Sequence, residues 1–268
     1  MPVLAMVSAK GAPGVTVCAA ALAAAARSRE APRDGAVLVE FDPAGGDLEV
    51  LFGARTGEPS LLRVAADVRR DAGPDALADH VSEVVPGLPA LLAPSTAHAA
   101  TAVIDSVRGG ALMSGLAAVT GWVVVDAGRW DRSQPTSARV GGADVIAVVC
   151  RSTAVSIAHA LDLIGPLRTL APTSSLAVVQ LGSEPYPPAE TAQAAAQVAA
   201  DVPVLGPVAW DPKGVTALWS TGSASRRWSH SALAGSARRL LEGLTSLADA
   251  RPSWARHAAG ADRREEPV

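Results

Sequence analysis

Short apolar runs alternate along this chain with longer stretches of helical composition. Pro2–Ala9, Ala36–Asp42 (AVLVEFD), Leu88–Ala93, Trp122–Asp126 (WVVVD), Asp144–Cys150 (DVIAVVC), Ser175–Leu181 and Pro203–Trp210 read as strands. Helices are expected directly after the first of these, to about Arg27, and over about 60–70, 75–85, 98–118, 154–169, 188–199 and Ser229–Ala248. Strands that are apolar on both faces, separated by helices, describe a sheet covered on both sides. The pattern therefore predicts a three-layer, doubly wound α/β fold with a mainly parallel sheet and helices on both faces. Neither a repeat nor an internal linker interrupts it, so residues 1–248 read as one domain. Residues 249–268 end in ARPSWARHAAGADRREEPV, polar, charged and broken by proline, and are expected to form a disordered tail in which Trp254 has no role.

Composition narrows the picture. A chain of 268 residues is long enough to bury a sizeable core, and the alanine content favours helices packed closely on the sheet. The net charge of −3 excludes a molecule that is basic overall and built to coat nucleic acid. Lys10 and Lys213 are its only lysines, so a lysine at a special place carries information. Cys18 and Cys150 lie in apolar runs and are expected as buried reduced thiols, which fits a cytoplasmic protein. His80, His98, His159, His230 and His257 are scattered without metal-ligand spacing. The apolar run Val15–Ala26 lacks a basic segment before it and is shorter than the ~20 residues of a bilayer span, so neither a signal peptide nor stable membrane insertion is expected.

The chemistry concentrates in the turns that follow strands. In a parallel sheet, ligands bind beyond the carboxyl ends of the strands. AMVSAKGAPGVTVCAAALAAAA, residues 5–26, runs from the first strand through a glycine turn into a helix. Free backbone N–H groups and the helix dipole at such a junction attract phosphate. Gly11 and Gly14 allow close approach, and Thr16 falls where a hydroxyl can coordinate Mg²⁺. The strict phosphate-loop pattern has lysine where this chain has Val15. Two further strands deliver carboxylates beside glycine turns: VLVEFDPAGGDLEVLFG, residues 37–53, with Asp42, and WVVVDAG, residues 122–128, with Asp126. Such a pair suits a Mg²⁺ ion and a water that attacks phosphate. Each aspartate alone reads as a cap or turn former; the three motifs in order do not.

SAKGAPGVT, EFDPAGGDL and VVVDAG together resemble the MinD/ParA family of dimeric ATPases with a deviant Walker A motif. The similarity extends to ADVIAVVCRSTAVSIAHALDLI, residues 143–164, and to PVLGPVAWDPKGVTAL, residues 203–218, and so covers about Pro2 to Ala248. The wording GAPGVT with DPAGGDL is closest to the branch resembling the pilus-assembly proteins TadZ and CpaE. The resemblance implies bound ATP and Mg²⁺. Lys10 matches the signature lysine that reaches phosphates across the dimer, and Asp42 the residue that orients the attacking water; these are the catalytic pair. Gly11, Ala12, Pro13, Gly14, Val15, Thr16 and Val17 match the phosphate cradle, with Pro207 and Asp211 beside the base. Thr16 and Asp126 match the metal site. The asparagine that contacts adenine in the family is not evident in AVVQLGSEPY, so the base is not specified by sequence.

Val15 is the departure. A missing ammonium near two phosphates is worth about 4 kcal/mol at an effective dielectric of 20, or two to three orders of magnitude. Weak or slow hydrolysis is therefore expected from a nucleotide-dependent homodimer that positions a chromosome, a division site or a pilus or secretion machine, recruited by a protein partner at a pole, nucleoid or membrane-associated machine. The alternative is a non-hydrolysing scaffold acting through protein partners. Residues 225–268 hold eight arginines and five acids, about +3, including Arg226, Arg227, Arg238 and Arg239. That surface permits non-specific DNA contact, although an ordinary solvated helix face is the preferred explanation. Leu240, Leu241, Leu244 and Leu247 form an apolar face expected to pack on the sheet rather than on a membrane.

Overall fold

The computed structural model describes residues 2–11, 14–27, 35–53, 60–68, 70, 79–107, 109–130, 140 and 142–251. Eight strands form one sheet: β1 (Val3–Ser8), β2 (Ala36–Glu40), β3 (Ser82–Val85), β4 (Leu88–Leu91), β5 (Trp122–Arg129), β6 (Val145–Arg151), β7 (Ser175–Leu181) and β8 (Val204–Val208). Their order across the sheet is β3-β4-β2-β5-β1-β6-β7-β8. All neighbours run parallel except β3 and β4. The doubly wound, mainly parallel fold expected from the alternation of strands and helices is present.

The described helices are α1 (Val15–Arg27), α2 (Leu48–Phe52), α3 (Ser60–Val68), α4 (Ala97–Ser106), α5 (Gly109–Val119), α6 (Ala154–Leu170), α7 (Pro188–Val198), α8 (Pro212–Thr221), α9 (Arg226–Ser229) and α10 (Ala232–Asp249). The strands divide their side chains between two cores. On one face Val3, Ala5, Val7, Val123, Val125, Ile146, Val148 and Cys150 pack with residues of α3 to α7. On the other, Leu4, Met6, Leu38, Val124, Ala147 and Val149 pack with α1, α2, α8, α9 and α10. Period-two alternation within apolar strands explains why both faces need cover. Helix α1 presents small side chains all round and is buried from Cys18 to Ala26. Leu240, Leu241 and Leu244 of α10 are buried on the same face, with Leu247 packed against it. Cys18 and Cys150 are free and buried, and burial pushes each thiol up to about 12.

Four local expectations change. The helix expected over 75–85 is replaced at its end by β3, which turns through Pro86 and Gly87 into β4; residues 71–78 lie outside the described residues. Gly87 has φ +81°, a conformation a tight hairpin needs and a helix forbids. The single helix expected over 98–118 is two, parted at Val107. Helix α8, which was not among those expected, follows β8 and is started by Asp211 as cap and Pro212 in the first turn. The short helix α2 was not read from the sequence; it ends at Gly53, φ +62°.

Of the stretch expected as a disordered tail, residues 252–268 lie outside the described residues, and Asp249 closes α10. Arg251 is 3% exposed; its guanidinium pairs with Asp144, and its Nε donates to the Thr173 carbonyl at 2.9 Å.

Candidate functional site

Registers across the sheet bring the three sequence motifs to one end. Asp126 of β5 stands level with Met6 of β1 on one side and Glu40 of β2 on the other. Alternation along β5 sends Val125 to one core and Val124 to the opposite one, so Asp126 faces the layer that contains α1. The Thr16 hydroxyl, in the first turn of α1, lies near the Asp126 carboxylate and favours its ionised form. The Gly128 N–H is 3.1 Å from Asp126 Oδ1. The carboxyl group is 2% exposed, and burial pushes it up to about 6; the neighbouring Asp42 charge acts in the same direction, and the Thr16 hydroxyl opposes both.

Asp42 sits two residues beyond β2, where its Oδ1 accepts the Ala44 N–H at 2.8 Å. Its carboxyl group packs on Gly128, where any added Cβ would collide with it; Gly128 itself has φ +62°. This turn has a second anchor that the sequence reading missed. Glu40 is 2% exposed and accepts three backbone N–H groups: Asp47 at 2.6 Å, Leu48 at 2.9 Å and Ala93 at 3.0 Å. Burial pushes Glu40 up to about 7 against the pull of those donors, and the Asp126 charge adds to the rise. Its one sequence signal is a charged residue among the apolar ones of AVLVE.

The loop between β1 and α1 has Lys10 and Gly11 exposed on the rim. The Lys10 carbonyl accepts the Ser8 hydroxyl at 2.9 Å. Ala12 and Pro13 lie outside the described residues. Gly14, at φ +102°, brings its backbone so close to β7 that an added Cβ would lie 2.9 Å from Leu181 Cδ1. Its carbonyl accepts the Cys18 N–H at 3.0 Å, the first bond of α1. Val15 is 4% exposed and belongs to the core under α1. Its isopropyl group therefore supplies packing, and position 15 supplies no charge to the rim.

Beside the loop, a cavity of about 530 Å³ is lined by Gly14, Val17, Leu181, Val208, Trp210 and Trp219 among others. Asp211 is also in its lining, with its carboxylate engaged by backbone: Oδ1 accepts Gly214 N–H at 2.9 Å and Oδ2 accepts Leu233 N–H at 3.2 Å. Those donors hold Asp211 below the usual carboxylate range. Pro207 is exposed on β8 and is not among the residues lining this cavity. Phe52 meets Trp219 edge to face, centroids 4.6 Å apart, and so fixes one wall from behind. A smaller cavity of about 290 Å³ lies across the loop, with Lys10, Gly11, Arg151, Thr153, Ser156 and His159 in its wall. A third, about 410 Å³, opens beside Asp42, Pro43, His98, Thr101 and Arg129.

Among the described residues no group of three or more His, Cys, Asp or Glu side chains is placed to hold a metal alone. One hydroxyl and one buried carboxylate suit Mg²⁺ instead, which takes oxygen ligands and keeps waters and substrate phosphates in its shell. The upward push on Asp126, with Asp42 and Asp47 adding negative charge nearby, is the environment that a divalent cation would relieve. No described helix is long and apolar enough to cross a membrane.

No protein-family model matches the chain, and no protein of curated function does. Solved structures do. A ParA family ATPase from Chlorobium tepidum TLS is 19% identical, with 90% of this chain and 98% of that one covered at a TM-score of 0.70. The cell division ATPase MinD of Pyrococcus furiosus is 15% identical over 92% and 99%, with a TM-score of 0.65. Cobyrinic acid a,c-diamide synthase from Mycobacterium smegmatis, determined with ADP and magnesium, is 18% identical over 93% and 96%, with a TM-score of 0.59. Over nearly its whole length, this chain has the fold of the ParA and MinD P-loop ATPases.

Proposed function

We propose that the protein is a MinD/ParA-like, ATP-binding molecular switch of the deviant Walker A type, nearest the TadZ/CpaE-like branch. The observation that carries this reading is the approach of the Thr16 hydroxyl, at the start of α1, to the buried Asp126 of β5, beside the Asp42 turn. It joins a phosphate-loop helix to a metal-binding carboxylate across two elements that are remote in sequence. Thr16 and Asp126 would hold Mg²⁺, whose charge offsets that of the phosphates. Gly11, Gly14 and the backbone around Val15 and Thr16 supply N–H donors to the phosphates. The apolar cavity beside Val17, Trp210 and Asp211 takes the base. Asp42, braced by Gly128 and by the turn that Glu40 anchors, orients the water.

Lys10 stands exposed on the rim, which supports a homodimer closed over nucleotide in which it reaches a second copy of the chain. Hydrolysis is slow because Val15 supplies no cation. The task is spatial, in chromosome partitioning, division-site placement or pilus or secretion machinery, through a protein partner at the platform. The protein works in the cytoplasm.

The test is titration of wild type and Lys10→Ala with a non-hydrolysable ATP analogue and Mg²⁺, followed by light scattering. Binding with a doubling of mass, with the doubling lost in Lys10→Ala, supports the switch. No binding at millimolar nucleotide overturns it and leaves the scaffold reading.

A further inference from the structure

The apolar cavity beside the loop has two of the chain's six tryptophans in its wall, Trp210 and Trp219. Trp219, on α8, is half-buried and held edge to face by Phe52. Trp210 follows β8 and is 74% exposed, with the Arg151 guanidinium carbon 5.7 Å from its ring centroid. Tryptophan is highly buried on average, so a ring left this open at the lip of a cavity is a surface for a ligand to cover. The cavity, about 530 Å³, is in the size range of small-molecule sites. Gly14 and Val17 put the start of α1 in the same wall. A ligand with its phosphates on the loop would carry its next flat group into this space.

Several polar groups of this wall are turned to the protein itself. Both carboxylate oxygens of Asp211 accept backbone N–H groups, from Gly214 and Leu233. The Thr216 hydroxyl donates to the Pro212 carbonyl at 2.9 Å, and the Ala209 N–H donates to Ser236 Oγ at 3.1 Å. The Val208 carbonyl accepts the Gly182 N–H at 2.9 Å. Adenine and guanine differ in the donors and acceptors along their edges, whereas every base offers a π-face to an aromatic ring. A wall whose hydrogen bonds are used internally and whose ligand-facing surface is indole and valine reads a base by shape and stacking.

We propose that Trp210 stacks on the base of a purine nucleoside triphosphate held at this loop, with Trp219 in the wall behind, and that adenine and guanine are accepted alike. This role rests on the nucleotide-site reading above. A stack adds affinity without regard to edge chemistry, so it grips the nucleoside and leaves the choice of purine open.

Calorimetric titration of wild type, Trp210→Ala and Trp210→Phe tests this, with Mg²⁺ and non-hydrolysable analogues of ATP, GTP and CTP, and with Mg²⁺ and inorganic tripolyphosphate. Trp210 is exposed, so the variants are expected to fold, and their thermal melts check that. Wild type is expected to bind the two purine analogues within about tenfold of each other and the CTP analogue more weakly, as stacking strength dictates. Trp210→Ala is expected to lose about tenfold or more for both purines, the scale of one base–aromatic stack, and less than about twofold for tripolyphosphate. Trp210→Phe recovers part of the loss. Purine affinity unchanged in Trp210→Ala, or reduced by the same factor as that of tripolyphosphate, overturns the stack while leaving the nucleotide site standing. A wild-type preference for one purine beyond the expected range, or a CTP analogue bound as tightly as the purines, overturns selection by shape. Wild type that binds no nucleotide overturns the nucleotide site, and this role with it.

Discussion

At the scale of single residues, buried carboxylates govern how this site responds to pH. Glu40 has a folded-state pKa of about 7 against an ordinary value of 4.5. Between those values the native protein holds a proton that the unfolded chain has released, so stability falls as pH rises through that window and levels off above it. The shift corresponds to a contribution on the order of 3 kcal/mol. Asp126, pushed up to about 6, adds a slope of the same sign. Urea unfolding of Glu40→Gln between pH 4.5 and 8 is expected to show a flatter profile than wild type; an identical slope would remove Glu40 as its source. Lys10, Thr16, Asp42 and Asp126 were named from the sequence because each belongs to a short motif whose spacing is set locally. Glu40 was not, because its role depends on the backbone donors that the assembled sheet and turn bring to it.

Among elements, the apolar cavity is held open by contacts between helices that do not touch the loop. Asp211 ties the start of α8 to the start of α10 through the N–H groups of Gly214 and Leu233. Asp211→Ala removes the cap and the tie together. We expect a loss of about 1–2 kcal/mol in urea unfolding, as for other N-caps, and a loss below a few tenths would mean that packing alone sets the two helices. The sequence carried the start signal for α8, Asp-Pro-Lys-Gly, but in the family resemblance Asp211 was matched to a position beside the base rather than to a helix cap. Strands β3 and β4 were obscured differently. Four-residue strands around a Pro-Gly turn give too few positions for alternation to separate them from a helix. The long central strands had no such ambiguity, and the fold class followed from them.

Across the whole molecule, the two ends of the described chain are fastened at a single carboxylate. Asp144, just before β6, accepts the Val3 N–H at 2.8 Å through Oδ2 and pairs with Arg251 through Oδ1. Removing one partner of a buried pair leaves the other uncompensated. Arg251→Ala is therefore expected to lose about 3 kcal/mol in urea unfolding; a change under 1 kcal/mol would show that the last turn of α10 is anchored by its leucines alone.

The placement of β1 reaches beyond the finished protein, to the order in which it is made. Val3 pairs with Val123, and Leu4 with Val145. On the ribosome, β1 thus has neither neighbour until well over a hundred further residues have followed it. The phosphate loop hangs from that strand, and its threonine finds Asp126 only once β5 exists. A segment made before its partners is in this way among the last of these elements to acquire its working shape. Unlike a chain of local hairpins, this one must hold its most apolar strand in reserve, and sequence-distant pairing of that kind folds slowly.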